Sequence, residues 1–208
     1  MTKKGLRILF ATLAIIIGLY PAAYFIFDRK FGLLASKSDV LLSNVIWNTG
    51  FYTHIILGGI ALLIGWSQFS EKLRIKNVKL HRRIGIVYVI AVLLSSLAGI
   101  YIGFFATGGF ITSAGFISLG IIWFSSTLLA FLEVKKSNIL QHQKLMIYSY
   151  ASCFAAVTLR IWLPILIIIF KDFIVAYTIV SWLCWVPNLI VAYFLVNKLS
   201  LKNAQIAV

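Results

Sequence analysis

The sequence predicts an all-α fold, a polytopic bundle of six membrane-spanning helices, and three observations carry that reading. Among 208 residues, 62% are hydrophobic and only 12% charged, with a mean hydropathy of +1.00. That is more apolar surface than a water-soluble globule can hide. The apolar residues also collect into six runs, each about as long as a helix needs to cross a hydrocarbon core of roughly 30 Å. Finally, lysine and arginine stand between those runs and favour one side of them. Barrel strands would be about half as long and would alternate apolar with polar residues. The same composition excludes disorder, coiled coil and collagen, and Cys153 and Cys184 alone make no disulfide scaffold.

The runs extend from Ile8 to Phe27, Thr49 to Phe69, Ile84 to Ala106, Ile111 to Leu132, Leu145 to Phe170 and Ile174 to Val196. The first follows Lys3, Lys4 and Arg7 as a secretory signal would, but it is long and lacks an A-x-A cleavage site. It is expected to stay as a helix. The longest connection, Asp28 to Asn48, holds Phe31, Leu33, Leu34, Val40, Leu41 and Leu42, and is expected to lie on the membrane surface as a short amphipathic segment. No Pro/Gly/Ser-rich linker or charge run divides the chain, so residues 1–208 are expected to form a single membrane domain.

Orientation follows from the basic residues. With the N-terminus in the cytoplasm, the cytoplasmic segments carry Lys3, Lys4, Arg7, Lys72, Arg74, Lys76, Lys79, Arg82, Arg83, Lys135, Lys136, Lys144, Lys198 and Lys202. The outer ones carry Arg29, Lys30, Lys37 and Lys171. This asymmetry obeys the positive-inside rule and places both termini in the cytoplasm of a multi-pass plasma-membrane protein. It also accounts for the net charge of +14. Basic residues in short loops set topology and meet anionic lipid headgroups, and none of the basic stretches is long enough for a nucleic-acid-binding domain. Membrane lipids are the expected partners.

The third and fifth runs open alike, Leu80-His81-Arg82-Arg83-Ile84 against Gln141-His142-Gln143-Lys144-Leu145, a weak echo of a parallel repeat of two helix pairs. A wider pattern follows from Tyr52-x-His54, Gly58-Gly59-Ile60-Ala61-Leu62-Leu63 and Gln68-Phe69, then Leu80-His81-Arg82 with Gly85 and Tyr88. With His142, Met146, Ser149 and Tyr150, Thr158-Leu159-Arg160-x-Trp162-Leu163-Pro164 and Trp182-Leu183-Cys184-Trp185-Val186-Pro187-Asn188, it resembles the bacterial predicted-membrane-protein family called domain of unknown function 2306. The resemblance covers roughly Tyr52 to Tyr193 and implies a multi-helix membrane fold without an established activity. The chain departs from the family pattern after the second basic-loop histidine, where Gln143, Lys144 and Leu145 replace an Arg- and Trp-rich stretch. That departure weakens any inner anion site.

Arg160 is the most informative residue. At 1.5 Å per residue it lies about 15 Å along its helix from the outer end and about 22 Å from the inner end. A charge at that depth costs at least ~2.5–3.5 kcal/mol unless it finds water or a partner. All five carboxylates, Asp28, Asp39, Glu71, Glu133 and Asp172, fall in loops or at the ends of runs. Stepping back from Arg160 by three or four gives Ala156, Cys153, Ser149, Met146 and His142, a small and polar stripe expected to face the bundle. Pro164, whose ring clashes with the carbonyl of Arg160, predicts a kink there. His54 shares a face with Gly58, Ala61 and Gly65, small residues that mark a helix contact. Tyr20, Tyr24, Tyr52, Tyr101, Thr158 and Ser181 lie in the same outer half. Trp162, Trp182 and Trp185 read as packing residues or ligand-stacking rings, and Trp162 is counted with the site. These residues predict an outward-facing polar pocket in which Arg160 binds an anion or a polar headgroup. A purely structural alternative stays open, with Arg160 running outward to Asp28, Asp39 or Asp172 and His54 donating to a carbonyl.

His81 and His142 stand one turn before their runs, at the cytoplasmic ends. Two imidazoles from neighbouring helices are able to ligate a b-type haem, or a metal with Glu71 or Glu133 as third ligand; interfacial hydrogen bonding is the plainer reading. His54 is about 22 Å of helix away from that end and joins no common centre with them. Cys153 and Cys184 read as small core residues, and Gly99-Ile100-Tyr101-Ile102-Gly103 as a close-packing motif. With no phosphate loop, nucleophile elbow or intramembrane carboxylate pair, the sequence leans away from an enzyme. The leading expectation is therefore a membrane protein that binds or carries a small anionic or lipid-like molecule, with no cofactor required. A redox protein holding haem or metal between His81 and His142 is the alternative, and a structural subunit of a membrane complex is the third.

Overall fold

The computed structural model describes residues 3–206; the side chains of Lys3, Lys4, Arg7 and Lys202, four of the basic residues counted above, lie outside the described residues. The six helices long and apolar enough to cross a membrane are α1 (Ile8–Ile26), α2 (Val45–Phe69), α3 (Val78–Gly103), α4 (Phe110–Lys135), α5 (Ile139–Phe170) and α6 (Phe173–Leu201). Among the described residues the secondary structure is helical.

Three helices start well before their apolar runs, because the preceding polar residue caps them. The Asn44 side chain accepts from Trp47 N at 2.9 Å, Asn77 from Leu80 N at 3.0 Å and Asn138 from Gln141 N at 3.3 Å. Each satisfies an N–H that the first helical turn leaves without a partner. An apolar run locates the hydrocarbon section, whereas the helix extends to its cap. His81 and His142 consequently sit inside the first turn of α3 and α5, and His54 lies nine residues beyond the start of α2, against five beyond the start of its apolar run at Thr49.

The helices are not straight rods. α1 passes through a 3-10 turn, Tyr20–Ala22, at Pro21. α6 breaks at Cys184–Trp185, just before Pro187, which stands in the first turn of the following helix, where a missing N–H costs least. In α5 the helical assignment is interrupted well ahead of Pro164. The helix Ala155–Phe170 runs through the proline, and the break falls at Phe154. There Val157 N bonds the Phe154 carbonyl at 2.9 Å, an i to i+3 contact that tightens the turn. The breaks in α5 and α6 are cross-braced by Asn188. Its amide donates to Ala151 O at 3.3 Å, Thr158 Oγ1 at 3.2 Å and Cys184 O at 3.0 Å.

In the bundle, α2, α3, α4 and α5 pack consecutively, α1 lies against α2 and the second half of α5, and α6 lies against α4 and α5. The core of the four central helices is built on Leu62, Tyr88, Val92, Trp123, Tyr150 and Val157. Ile86, Ile90, Leu94 and Leu97 of α3 are exposed, as are Ile190, Val191 and Phe194 of α6. A helix with apolar residues on both its packed and its exposed faces belongs in lipid. Polar contacts join the packed faces: Tyr88 Oη lies 2.8 Å from Ser149 Oγ, which lies 2.6 Å from Thr127 Oγ1. Thr127 in turn donates to Trp123 O at 2.7 Å.

The connection between α1 and α2 departs from expectation. It does not lie flat as an amphipathic strip; it folds over one end of the bundle as a 3-10 turn, Gly32–Ser36, and a short helix, Asp39–Ser43. Leu34 and Leu42 are 2% and 7% exposed and join Tyr24, Trp47 and Phe51 in a third core. This cap is stapled by Arg29, which donates to Leu42 O at 3.0 Å, to Tyr52 Oη at 3.3 Å and to Asn48 Oδ1. The basic loops stand at the opposite end.

Close approach of α2, α3 and α5 depends on Gly65, where a Cβ would fall within 2.7 Å of Tyr88 Cε2 and against the ring of Tyr150. Overpacking of this kind costs about 1–3 kcal/mol. Gly65→Val should therefore lower the thermal unfolding midpoint in detergent well below that of Ile190→Ala, a change on an exposed face. Equal midpoints for the two variants would show that the contact is slack.

Candidate ligand pocket

Beneath the cap the bundle holds a cavity of about 220 Å³, to which all six spanning helices contribute lining residues. Its walls are largely apolar, and its charged lining residues are Arg160 and Lys37, with no carboxylate. His54 and Tyr24 also line it. The cavity therefore gathers two residues that the sequence singled out, Arg160 and His54, from helices far apart in the chain.

Arg160 is held by its own surroundings. One guanidinium nitrogen, Nη1, donates to Ala156 O at 2.9 Å, and Cζ lies 4.2 Å from the centroid of the Tyr20 ring. A cation over an aromatic face gains about 0.5–2 kcal/mol. Tyr20 occupies that place because the 3-10 turn at Pro21 re-aims the end of α1. Among the described residues the ion pairs are Lys30–Asp39 at 2.8 Å and Lys136–Glu133 at 3.6 Å, and Arg160 is in neither. The outward route to Asp28, Asp39 or Asp172 is thus not taken; Asp172 accepts from Ile174 N at 2.7 Å as the cap of α6. The charge of Arg160 is felt at Tyr24 and at His54.

His54 is fixed by α3. Its Nδ1 lies 2.9 Å from Ser95 O, while Ser95 Oγ donates to His54 O at 2.8 Å. A carbonyl only accepts, so Nδ1 carries the proton and Nε2 holds a lone pair. The ring lies flat against Gly99, where a Cβ would stand 2.8 Å from Nδ1. The first glycine of the Gly99–Gly103 motif is therefore there for the imidazole, and the second for Ile117 of α4.

The cap closes the pocket with residues that the sequence reading left out of the site. Gly32 has φ +60°, and a Cβ there would come within 3.2 Å of Tyr24 Oη and 3.4 Å of Tyr20 Oη, so its missing side chain lets both phenols tuck under the cap. Lys37 reaches across to the α3–α4 turn, donating to Phe105 O and to Thr107 Oγ1 at 3.0 Å, and Ser36 Oγ meets the same Thr107 hydroxyl at 3.1 Å. No spacing in the sequence marks Lys37 or Gly32. A loop lysine between Ser36 and Ser38 is a weak signal without the fold.

The other expected pocket residues are elsewhere. Tyr52 receives Arg29 as part of the cap staple. Tyr101 packs between Gly50 and Phe105 at the α2–α3 interface. Thr158 braces the α5 and α6 breaks with Asn188, Ser181 donates to Thr178 O at 2.7 Å, and Trp162 is 38% exposed on the outside of the bundle. Cys153 and Cys184 are free and buried, and both border the cavity.

At the basic end, His142 Nδ1 lies 2.8 Å from Ala130 O, which fixes its tautomer and leaves Nε2 free. His81 is near enough to feel the charges of His142, Arg74 and Arg82, and its buried Nδ1 has no hydrogen-bond partner among the described residues. Neither Glu71 nor Glu133 joins the two histidines in a three-ligand group among the described residues.

A family model described as a predicted membrane protein, domain of unknown function 2306, matches residues 51–196. The chain belongs to that family. No curated protein and no solved structure matches it. In this member of the family, His54, Arg160 and both basic-end histidines fall within the matched residues, while Tyr20, Tyr24, Gly32 and Lys37, which cover the pocket, precede them.

Burial pushes the Lys37 ammonium down to about 8. The unfolded chain keeps that proton up to about 10.4, so between those two values the unfolded state binds more protons and stability rises with pH. Below about 8 the benefit is gone. Lys37→Met should flatten the rise in unfolding midpoint that the native protein shows across this window. Parallel pH profiles for the two proteins would show that Lys37 is not buried at the rim.

Proposed function

We propose that this protein binds or carries a small anionic or lipid-like molecule in the capped pocket, with Arg160 holding the anionic group and the apolar walls holding the rest. One observation supports the reading above all: a guanidinium at membrane depth has no acidic partner among the described residues and meets only the Ala156 carbonyl and Tyr20 there, in a cavity lined by no carboxylate. Arginine offers five N–H donors in a planar fork suited to an oxyanion, and a purely structural arginine in hydrocarbon would be expected to use more of them. On the positive-inside rule the basic end faces the cytoplasm of a plasma-membrane protein and the cap faces out, which makes the pocket outward-facing.

A second reading, a haem held between His81 and His142, is supported by the His142–Ala130 contact, the kind of hydrogen bond that orients a ligating imidazole. The cations around the pair, Arg74 and Arg82, suit the carboxylates of a haem better than a bare metal ion. An absorption spectrum of the purified protein separates the readings: a Soret band lost in His81→Ala supports haem, and its absence removes it.

For the pocket, small molecules extracted from purified native protein, Arg160→Gln and Arg160→Lys are to be compared by mass spectrometry. A charge-assisted hydrogen bond contributes about 1.5–3 kcal/mol. The native protein is therefore expected to retain an anionic or lipid-like species at ten-fold or greater excess over Arg160→Gln, with Arg160→Lys between them. Equal retention by all three overturns the reading.

A further inference from the structure

Resting on that reading, we infer that the pocket's ligand is a small aromatic hydroxycarboxylate, its carboxylate on Arg160 and its hydroxyl donating to His54 Nε2. Among the polar residues that line the cavity, Arg160 and His54 are complementary in kind. Arg160 has only donors; Nη1 reaches the Ala156 carbonyl and the guanidinium also meets Tyr20, which leaves part of its five-N–H fork for a ligand. His54 presents the opposite capacity, because its one proton is committed to Ser95 O at 2.9 Å and Nε2 is left as an acceptor. This neutral imidazole is also the form that does not set a second cation beside Arg160 in an apolar space. A plain anion would satisfy the guanidinium and leave a lone pair facing it at Nε2. A molecule with both an anionic oxygen and an O–H satisfies the two together.

Charge and shape narrow the class. Lys37 spends its ammonium at the rim on Phe105 O and Thr107 Oγ1, so Arg160 is the cation left with donors for a ligand. It matches a monoanion, and a phosphate dianion would bring a second charge into apolar walls without a partner. A volume of about 220 Å³ falls below the usual 300–1,000 Å³ of pockets for drug-sized ligands, so the body is compact. Trp47, Phe51, Phe116 and Trp123 give the walls four aromatic faces, which suit a single ring. The Trp47 indole N–H is also without a partner, a further donor in surroundings short of acceptors.

The test is calorimetric titration of the full chain in nanodiscs with 3- and 4-hydroxybenzoate, the isomers whose hydroxyl cannot bond its own carboxylate. Benzoate, 4-hydroxybenzyl alcohol and phenyl phosphate serve as comparisons. One of the hydroxybenzoates is expected to bind at least ten-fold more tightly than benzoate. Arg160→Gln should weaken both acids ten-fold or more and leave the alcohol unchanged, and His54→Phe should abolish the advantage of hydroxybenzoate over benzoate. Ala156→Leu, which fills the cavity and keeps every charge, should weaken all acids, so the proposal stays testable if Arg160→Gln does not fold. Benzoate binding as tightly as both hydroxybenzoates overturns the role of His54. Tighter binding of phenyl phosphate, or no binding of any probe, overturns the ligand class. Neither result bears on the retained-molecule comparison of native protein with Arg160→Gln, by which the broader reading stands or fails.

Discussion

The guanidinium of Arg160, deep in a membrane-spanning helix and in no ion pair among the described residues, organises one whole end of this molecule. Placing a guanidinium there costs several kcal/mol unless it is solvated, paired or stacked, and the fold supplies only part of the remedy. α1 turns at Pro21 so that Tyr20 lies beneath Arg160 at 4.2 Å, and one N–H reaches the Ala156 carbonyl. The cap then folds over the phenols of Tyr20 and Tyr24 at the glycine that admits them. The cavity lies beside this guanidinium, with lining residues from all six spanning helices.

The remaining intramembrane polar groups differ from Arg160 and His54 in how completely they are spent, and that difference separates mortar from site. The hydroxyl series from Tyr88 through Ser149 to Thr127 ends on the Trp123 carbonyl. A carbonyl cannot pass a proton on, so the series ties α3, α4 and α5 together and conducts nothing. Asn188 likewise spends its amide on the carbonyls freed where α5 and α6 break. Such contacts average about 0.6 kcal/mol in membranes, and their worth lies in fixing which helices meet. Arg160 meets Ala156 O and Tyr20, and His54 meets Ser95, and each side chain keeps capacity in reserve.

Much of this was legible in the residues alone. The six spans, the inward stripe of α5 and the helix-contact face of α2 follow from length and from 3.6-residue periodicity, and the fold honours all three. Arg160 and His54 stood out because their chemistry is expensive at their depth. Tyr52, Tyr101, Thr158 and Ser181 share that depth, but depth does not say which way a side chain points. Their rotation about the helix axis is set by partners such as Arg29 and Asn188, which are distant in the chain. The cap escaped notice for a related reason. Leu34 and Leu42 read as an apolar strip, and only the presence of Trp47 and Phe51 beneath them makes a core of that strip. At Pro164 the helix continues, since one missing N–H need not end a helix. Phe154, where the turn tightens, has no local signature.

The two ends of the bundle place opposite electrostatic demands on anything they hold. Beneath the cap, one buried cation faces apolar walls, and low polarizability amplifies its preference for an anion. At the basic end, His81 and His142 stand among Arg74 and Arg82 at the level of the headgroups, where water and salt screen charges and lipid phosphates already supply negative partners. A ligand at the basic end must therefore compete with the membrane surface itself, whereas one beneath the cap has no competitor but water. That contrast is why an arginine unpaired at depth says more about binding than a pair of histidines at the interface, even though two histidines carry the more familiar chemistry.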